Sequence, residues 1–276
     1  MTQQTAGERR VAPSAGSELV TRILSAVALA AIVLLGAVLG GWAAAIVCAV
    51  AMSIVHLEWA NLTDRSPWPT GVFTFVLVLA IAMIAMGLGI GGLILIGLSV
   101  VFSALTLSPW RPVGVLYAAM LGAGFLFLRL TPDGLRAVLV VLAVVWATDT
   151  GAFIAGRTIG GAKLLPAISP NKTWAGAVGG LVIAVVAGVI VAMLLAIPVS
   201  APLILIMAFL SVVSQAGDLF ESWVKRVFGA KDSGNIVPGH GGLLDRVDGL
   251  AVAGGIAAVI GWLHAGMSVA QGLILW

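Results

Sequence analysis

Apolar residues in this chain come in long, nearly unbroken runs. Runs close to 20 residues long follow one another, separated by short polar or Pro-rich breaks such as "SPWP" at 66–69 and "SPWRP" at 108–112. Runs of this length read as helices that cross a bilayer, because in lipid each backbone N–H and C=O must be satisfied within its own segment. The breaks mark their ends. The pattern predicts nine helices, over about 20–38, 41–60, 70–87, 89–107, 112–130, 134–156, 175–197, 201–224 and 249–272. A membrane β-barrel would instead alternate apolar and polar positions, and no such alternation is present. The expected fold class is an all-α polytopic membrane protein, with 1–18 a polar tail and 19–276 a single transmembrane domain.

Composition agrees. Of 276 residues, 61% are hydrophobic and 9% charged, with a mean hydropathy of +1.16, whereas soluble domains carry roughly 25% charged residues. The single cysteine, Cys48, lies in an apolar run, so neither an internal disulfide nor a CxxC metal site is available. Arg9, Arg10 and Arg22 precede the first run. With so many runs following, that run reads as an uncleaved helix rather than a removable signal. The net charge of +3 is scattered between runs, which gives no footprint for nucleic acid.

Lys and Arg placement predicts orientation. With the N-terminus in the cytoplasm, twelve of the fourteen basic residues fall on the cytoplasmic side, and only Arg129 and Arg136 fall on the other. The C-terminus is then expected outside. The two long polar connections, near 157–174 and 225–248, both face the cytoplasm of a cell-membrane protein.

Charge concentrates there. Nine charged side chains lie between Asp218 and Asp248, and charge inside a membrane segment usually marks a pathway or a site. In "QAGDLFESWVKR", Gln215, Asp218, Ser222 and Lys225 are three or four apart and share one helix face. "GAKDSGNIVPGHGG" then breaks the helix. Its Gly241 and Gly242 offer unobstructed N–H groups of the kind that cradle anions, and His240 lies beside them. "LLDRVDG" follows, with Asp245 and Asp248 on one turn if a helix begins there. These carboxylates with Asp218 suit Mg²⁺, which takes one or two carboxylates, waters and phosphate oxygens. Lys225, Arg226, Lys231 and Arg246 would offset phosphate charge.

A second polar island covers 147–180. Asp149 falls near a helix end and is a weaker metal candidate, and "SPNKTWAG" offers Ser169, Asn171, Lys172 and Thr173 just before an apolar helix, a natural phosphate position. The catalytic part is therefore expected within about 147–250. The residues by themselves leave two readings: phosphoryl or nucleotidyl transfer on a membrane lipid, or transport of a phosphorylated solute.

The stretch "SWVKRVFGAKDSGNIVPGHGGLLDRVD", 222–248, resembles the signature of the phosphatidate cytidylyltransferases, S-x-x-K-R, K-D-x-G, P-x-H-G-G, D-R-x-D, and matches it at each fixed polar position. The upstream "DTGAF…GR…ISPNKTWAG" is similar to a second motif of that family, with Ala175 where a Glu is usual and Phe153 where a Tyr is usual. The two motifs cover roughly a quarter of the chain. The resemblance implies condensation of CTP with phosphatidic acid to CDP-diacylglycerol and pyrophosphate, with Mg²⁺, K⁺ as a monovalent candidate, and a homodimer. It assigns Asp218, Asp245 and Asp248 to the metal. Phosphate contacts fall to Lys172, Lys225, Arg226, Lys231 and Arg246, with Asn171, Ser222 and the His240–Gly242 loop orienting them.

One rival enzyme class, the CDP-alcohol phosphotransferases, uses D-x-x-D-G-x-x-A-R with further aspartates downstream. "DRVDGLAVAGG" begins that way, but Val252 and Ala253 replace the Ala-Arg pair and no Asp or Glu follows Asp248.

Overall fold

The computed structural model describes residues 15–64, 66–106, 108–234, 236, 241–264 and 266–276. Most of the polar tail, Arg65 and His240 thus lie outside the described residues. Among the described residues nine long helices follow in order: α1 (Ala15–Leu39), α2 (Gly41–Thr63), α3 (Pro67–Ala85), α4 (Gly89–Ala104), α5 (Arg111–Arg129), α6 (Gly134–Thr158), α7 (Trp174–Leu194), α8 (Ala201–Val227) and α9 (Leu244–Leu263). A short α10 (Val269–Ile274) closes the chain. Seven of the helices are long and apolar enough to cross a membrane; the apolar parts of α1 and α4 are shorter. The molecule is thus all-α and polytopic in character.

Two elements depart from the sequence-based expectation. The last apolar run is not one span over 249–272. α9 begins at Leu244 and stops at Leu263, Gly266 turns the chain at φ 83°, and Ser268 caps α10 by accepting from the Gln271 N–H at 3.2 Å. α10 then folds back on α9, where Gly261 and Gly272 leave room for close backbone approach. Between α6 and α7, residues expected in a loop form an antiparallel hairpin of β1 (Lys163–Leu165) and β2 (Ser169–Thr173), with Lys163 opposite Thr173 and Leu165 opposite Ser169. A two-stranded hairpin is marginal alone. This one is tied to α8 by Arg226, whose Nε donates to the Ile168 carbonyl at 3.2 Å, and by an ion pair between Lys172 and Asp218.

Packing follows from small residues. In lipid there is no hydrophobic drive between helices, so close backbone approach carries the association. α6 packs most extensively on α7. A Cβ on Gly180 would lie 2.8 Å from the Thr148 carbonyl oxygen, so that seam admits only glycine there. Likewise α5 meets α9 at Gly124, where a Cβ would lie 2.9 Å from Cα of Gly255. α5 is the central helix, 67% buried over its apolar window against 22% for the peripheral α7.

Long-range contacts sort the helix ends into two sets. Asp64 at the end of α2 pairs with Arg111 at the start of α5, and Lys225 near the end of α8 pairs with Asp245 at the start of α9. At the opposite end, Arg129 finishes α5 and reaches the Ala37 and Val38 carbonyls that finish α1.

Candidate active site

A cavity of about 900 Å³ opens where the ends of α6 and α8, the starts of α7 and α9, and the hairpin converge. Ligand clefts run roughly 300–1,000 Å³. Asp149, Asn171, Lys172, Asp218, Lys225, Asp245, Arg246 and Asp248 all line it. The two polar islands, 46 residues apart at their nearest expected members Lys172 and Asp218, thus share one chamber.

α8 supplies the floor. Its helical spacing turns Asp218, Ser222 and Lys225 to the same side, and Ser222 Oγ lies 3.4 Å from Asp218 Oδ1. The other side of α8 is aromatic. Phe220 stacks near Trp59 of α2 and Tyr117 of α5, at centroid distances of 6.1 and 6.3 Å, and Trp223 meets Trp110 at 5.6 Å. This backing fixes the rotation of α8 about its axis. The Tyr117 hydroxyl also donates to the Asp248 backbone carbonyl at 2.7 Å, joining α5 to the start of α9.

Lys225 is the hub. Its Nζ lies 2.7 Å from Asp245 Oδ1 and 2.8 Å from Glu221 Oε2. Glu221 is 1% exposed, and its second oxygen has no hydrogen-bond partner. Sequence reasoning counted Glu221 in the charged cluster and gave it no role. The i, i+4 spacing to Lys225 was the available signal.

Asp245 does more than face the chamber. Besides Lys225, it accepts the Ser233 N–H at 3.0 Å and the Gly242 N–H at 3.0 Å through Oδ2. It therefore ties both described arms of the loop joining α8 to α9. Gly242 serves through this N–H, and Gly241 adopts φ 90°, a conformation that suits glycine. Asp248 is half-buried, its Oδ1 accepts the Gly249 N–H at 2.7 Å, and Asp218, Glu221 and Asp149 all act on it electrostatically.

Other expected residues sit differently. Arg226 is exposed and bonds the hairpin turn, and Lys231 is exposed and outside the lining. Asn171 and Lys172 lie on β2, while Thr173 caps α7 by accepting the Gly176 N–H at 3.0 Å. The chamber also contains Phe153 and Arg157, with the guanidinium carbon 5.9 Å from the ring centroid, and Asp232. None of these three was given a role from sequence, although Phe153 was noted where the resembled motif usually has a Tyr. Nor was Glu58 of α2, a buried carboxylate that accepts the Leu243 and Leu244 N–H groups at 3.0 and 2.7 Å.

The donor set is all oxygen: of the carboxylates expected at the metal, Asp245 is taken up by Lys225 and the Ser233 and Gly242 N–H groups, which leaves Asp149, Asp218 and Asp248 bordering the open space with cations around it. No three metal-ligating side chains converge into a ready cage among the described residues. That arrangement fits a hard cation completed by water and substrate phosphates rather than one held by protein alone.

Residues 20–264, most of the chain, match the sequence model of the cytidylyltransferase family. The chain belongs to that family. Its relatives include a protein of Brucella suis biovar 1 (strain 1330) named phosphatidate cytidylyltransferase, 48% identical over 157 residues, which is 56% of this chain and 58% of the relative. A protein of the same name from Staphylococcus saprophyticus is 48% identical over 132 residues, 47% of this chain and 51% of the relative. The matched stretch thus spans just over half of each relative's length. The chamber gives family membership a physical place, since its residues come from both motif regions.

Proposed function

We propose that this family member condenses CTP with phosphatidic acid, giving CDP-diacylglycerol and pyrophosphate, as the names of its relatives suggest. The observation that carries the reading is the single chamber in which Lys172, Lys225 and Arg246 stand beside Asp149, Asp218 and Asp248. Cations suit a triphosphate and the phosphate of a lipid, and the carboxylates suit the metal that accompanies such phosphates.

In the reaction, an oxygen of the phosphatidate phosphate attacks the α-phosphorus of CTP. A new P–O bond forms as the bond to the β-phosphate oxygen breaks, and pyrophosphate leaves with that electron pair. The attacking phosphate is ionised near neutral pH, since its second proton leaves at about pH 6, so no strong general base is required. Lys172 and Arg246 are placed to hold phosphate oxygens and take up the leaving group's charge. Lys225, fixed by Glu221 and Asp245, keeps its ammonium at one point on the chamber floor. Asp218, Asp248 and Asp149 would hold Mg²⁺, with K⁺ as a monovalent companion. A metal held by these carboxylates would supply Lewis-acid neutralisation of the charge that develops on the phosphates.

The chamber faces the cytoplasm in this reading, where CTP is. The N-terminus is then cytoplasmic, nine spans cross the cell membrane, and the enzyme works as a homodimer. The asymmetric distribution of Lys and Arg supports the orientation. A transporter would break its helices near the midplane, whereas α6 and α8 run unbroken for 25 and 27 residues.

Purified protein with phosphatidate, CTP and Mg²⁺ in detergent should release pyrophosphate only when both substrates are present. Absence of release from folded protein would favour the transport reading.

A further inference from the structure

The first turn of α9 carries Asp245, and Asp248 follows it, yet α9 has no capping side chain at its own N-cap. The first N–H groups of a helix lack partners within it. Here Glu58 supplies them from α2, 185 residues before Leu243. One carboxylate oxygen accepts the Leu243 N–H at 3.0 Å and the other the Leu244 N–H at 2.7 Å. Glu58 is 2% exposed.

The backbone is shaped around this carboxylate. A Cβ on Gly234 would lie 2.6 Å from one oxygen, and a Cβ on Gly242 would lie 3.0 Å from the other. Asp245 works from the opposite side, accepting the Ser233 and Gly242 N–H groups. The α8–α9 loop is thus clamped between two carboxylates, one from each half of the chain. A negative charge at a helix N-terminus is favoured by the helix dipole, and its hydrogen bonds to N–H groups are charge-assisted.

We propose that Glu58 is a positioning residue. By holding the Leu243 and Leu244 N–H groups it fixes the start of α9, and with it Asp245 and Asp248, against Asp218 and Lys225 on α8. The inference rests on the reading of the chamber as the site of CTP and phosphatidate chemistry. Misplacement of reacting groups by about 1 Å can cost roughly 100-fold in rate. Glu58 would thus act on turnover without touching either substrate.

Glu58→Gln tests this, since it keeps the shape and replaces one acceptor oxygen with an amide NH₂ that cannot accept. In folded, detergent-purified protein, kcat should fall roughly 10- to 100-fold. The KM values for CTP and phosphatidate should stay within about threefold, as expected when an interaction is lost mainly in the transition state. Amide hydrogen exchange should quicken at 242–248 and stay unchanged in α5 and α6. Glu58→Asp, which keeps the charge one methylene short, should give an intermediate kcat. A residue that merely filled the core would change exchange across several helices and leave kcat of the folded fraction intact. Wild-type kcat in Glu58→Gln, or unchanged exchange at 242–248, overturns the proposal. If Glu58→Gln does not accumulate, Glu58→Asp carries the same two readouts. A wild-type protein that releases no pyrophosphate would instead remove the reading of the chamber, and the exchange result would still stand.

Discussion

Asp245 has three duties at once: it pairs with Lys225, ties Ser233 and Gly242, and faces the chamber. Its side chain is 6% exposed, so it is effectively buried. Asp245→Asn should therefore abolish turnover and also lower the thermal midpoint. Breaking a buried pair costs about 3–5 kcal/mol, and Glu221 still pairs with Lys225, so about 3 kcal/mol is expected. Pyrophosphate release and thermal unfolding in detergent check both halves; near-normal turnover would remove Asp245 from the site. Lys172 reaches across to Asp218 from the hairpin. Lys172→Ala should raise the KM for CTP roughly tenfold, the loss of one charge-assisted hydrogen bond, while the KM for phosphatidate changes less. Much of this was legible in the sequence because it is local: Asp218, Ser222 and Lys225 follow helical spacing. Glu58 was not. A carboxylate inside an apolar run has no local partner to announce it, and its partners lie 185 residues away.

At the scale of the elements, helix seams decide stability. Gly180→Val should disrupt α6 against α7, because its Cβ would press on the Thr148 carbonyl. Overpacking costs about 1–3 kcal/mol. By contrast Gly97 on α4 is exposed and its Cβ would meet nothing within 4 Å. Gly97→Ala should be neutral or stabilising by up to about 1 kcal/mol through helix propensity. Thermal midpoints of the two variants in one detergent make the comparison, and equal losses would contradict the packing account. Long apolar runs located the helices well, since lipid permits little else. The hairpin was hidden because its three- and five-residue strands are too short to show a period. The break before α10 was hidden because His264, Gly266 and Ser268 are single positions among apolar residues, with no Pro or charged residue to mark a stop.

For the whole molecule, the claim is one chamber at one membrane face. Contacts from Asp64 to Arg111 and from Lys225 to Asp245 gather the ends of α2 and α8 with the starts of α5 and α9, and the distribution of Lys and Arg supports the proposal that this side is cytoplasmic. Reporter fusions after residues 87, 172 and 198 should read outside, cytoplasmic and outside; a cytoplasmic signal at 198 would overturn the orientation. The chamber itself could not be drawn from sequence, because nothing local says that the 147–180 island meets α8 and α9. The most direct test of the central claim follows the phosphorus atoms. With CTP labelled at the α-phosphorus, the label should move into the lipid fraction in a phosphatidate-dependent way, and label at the γ-phosphorus should appear only in aqueous pyrophosphate. Lipid that acquires the γ-label, or folded protein that transfers no α-label, would contradict the account.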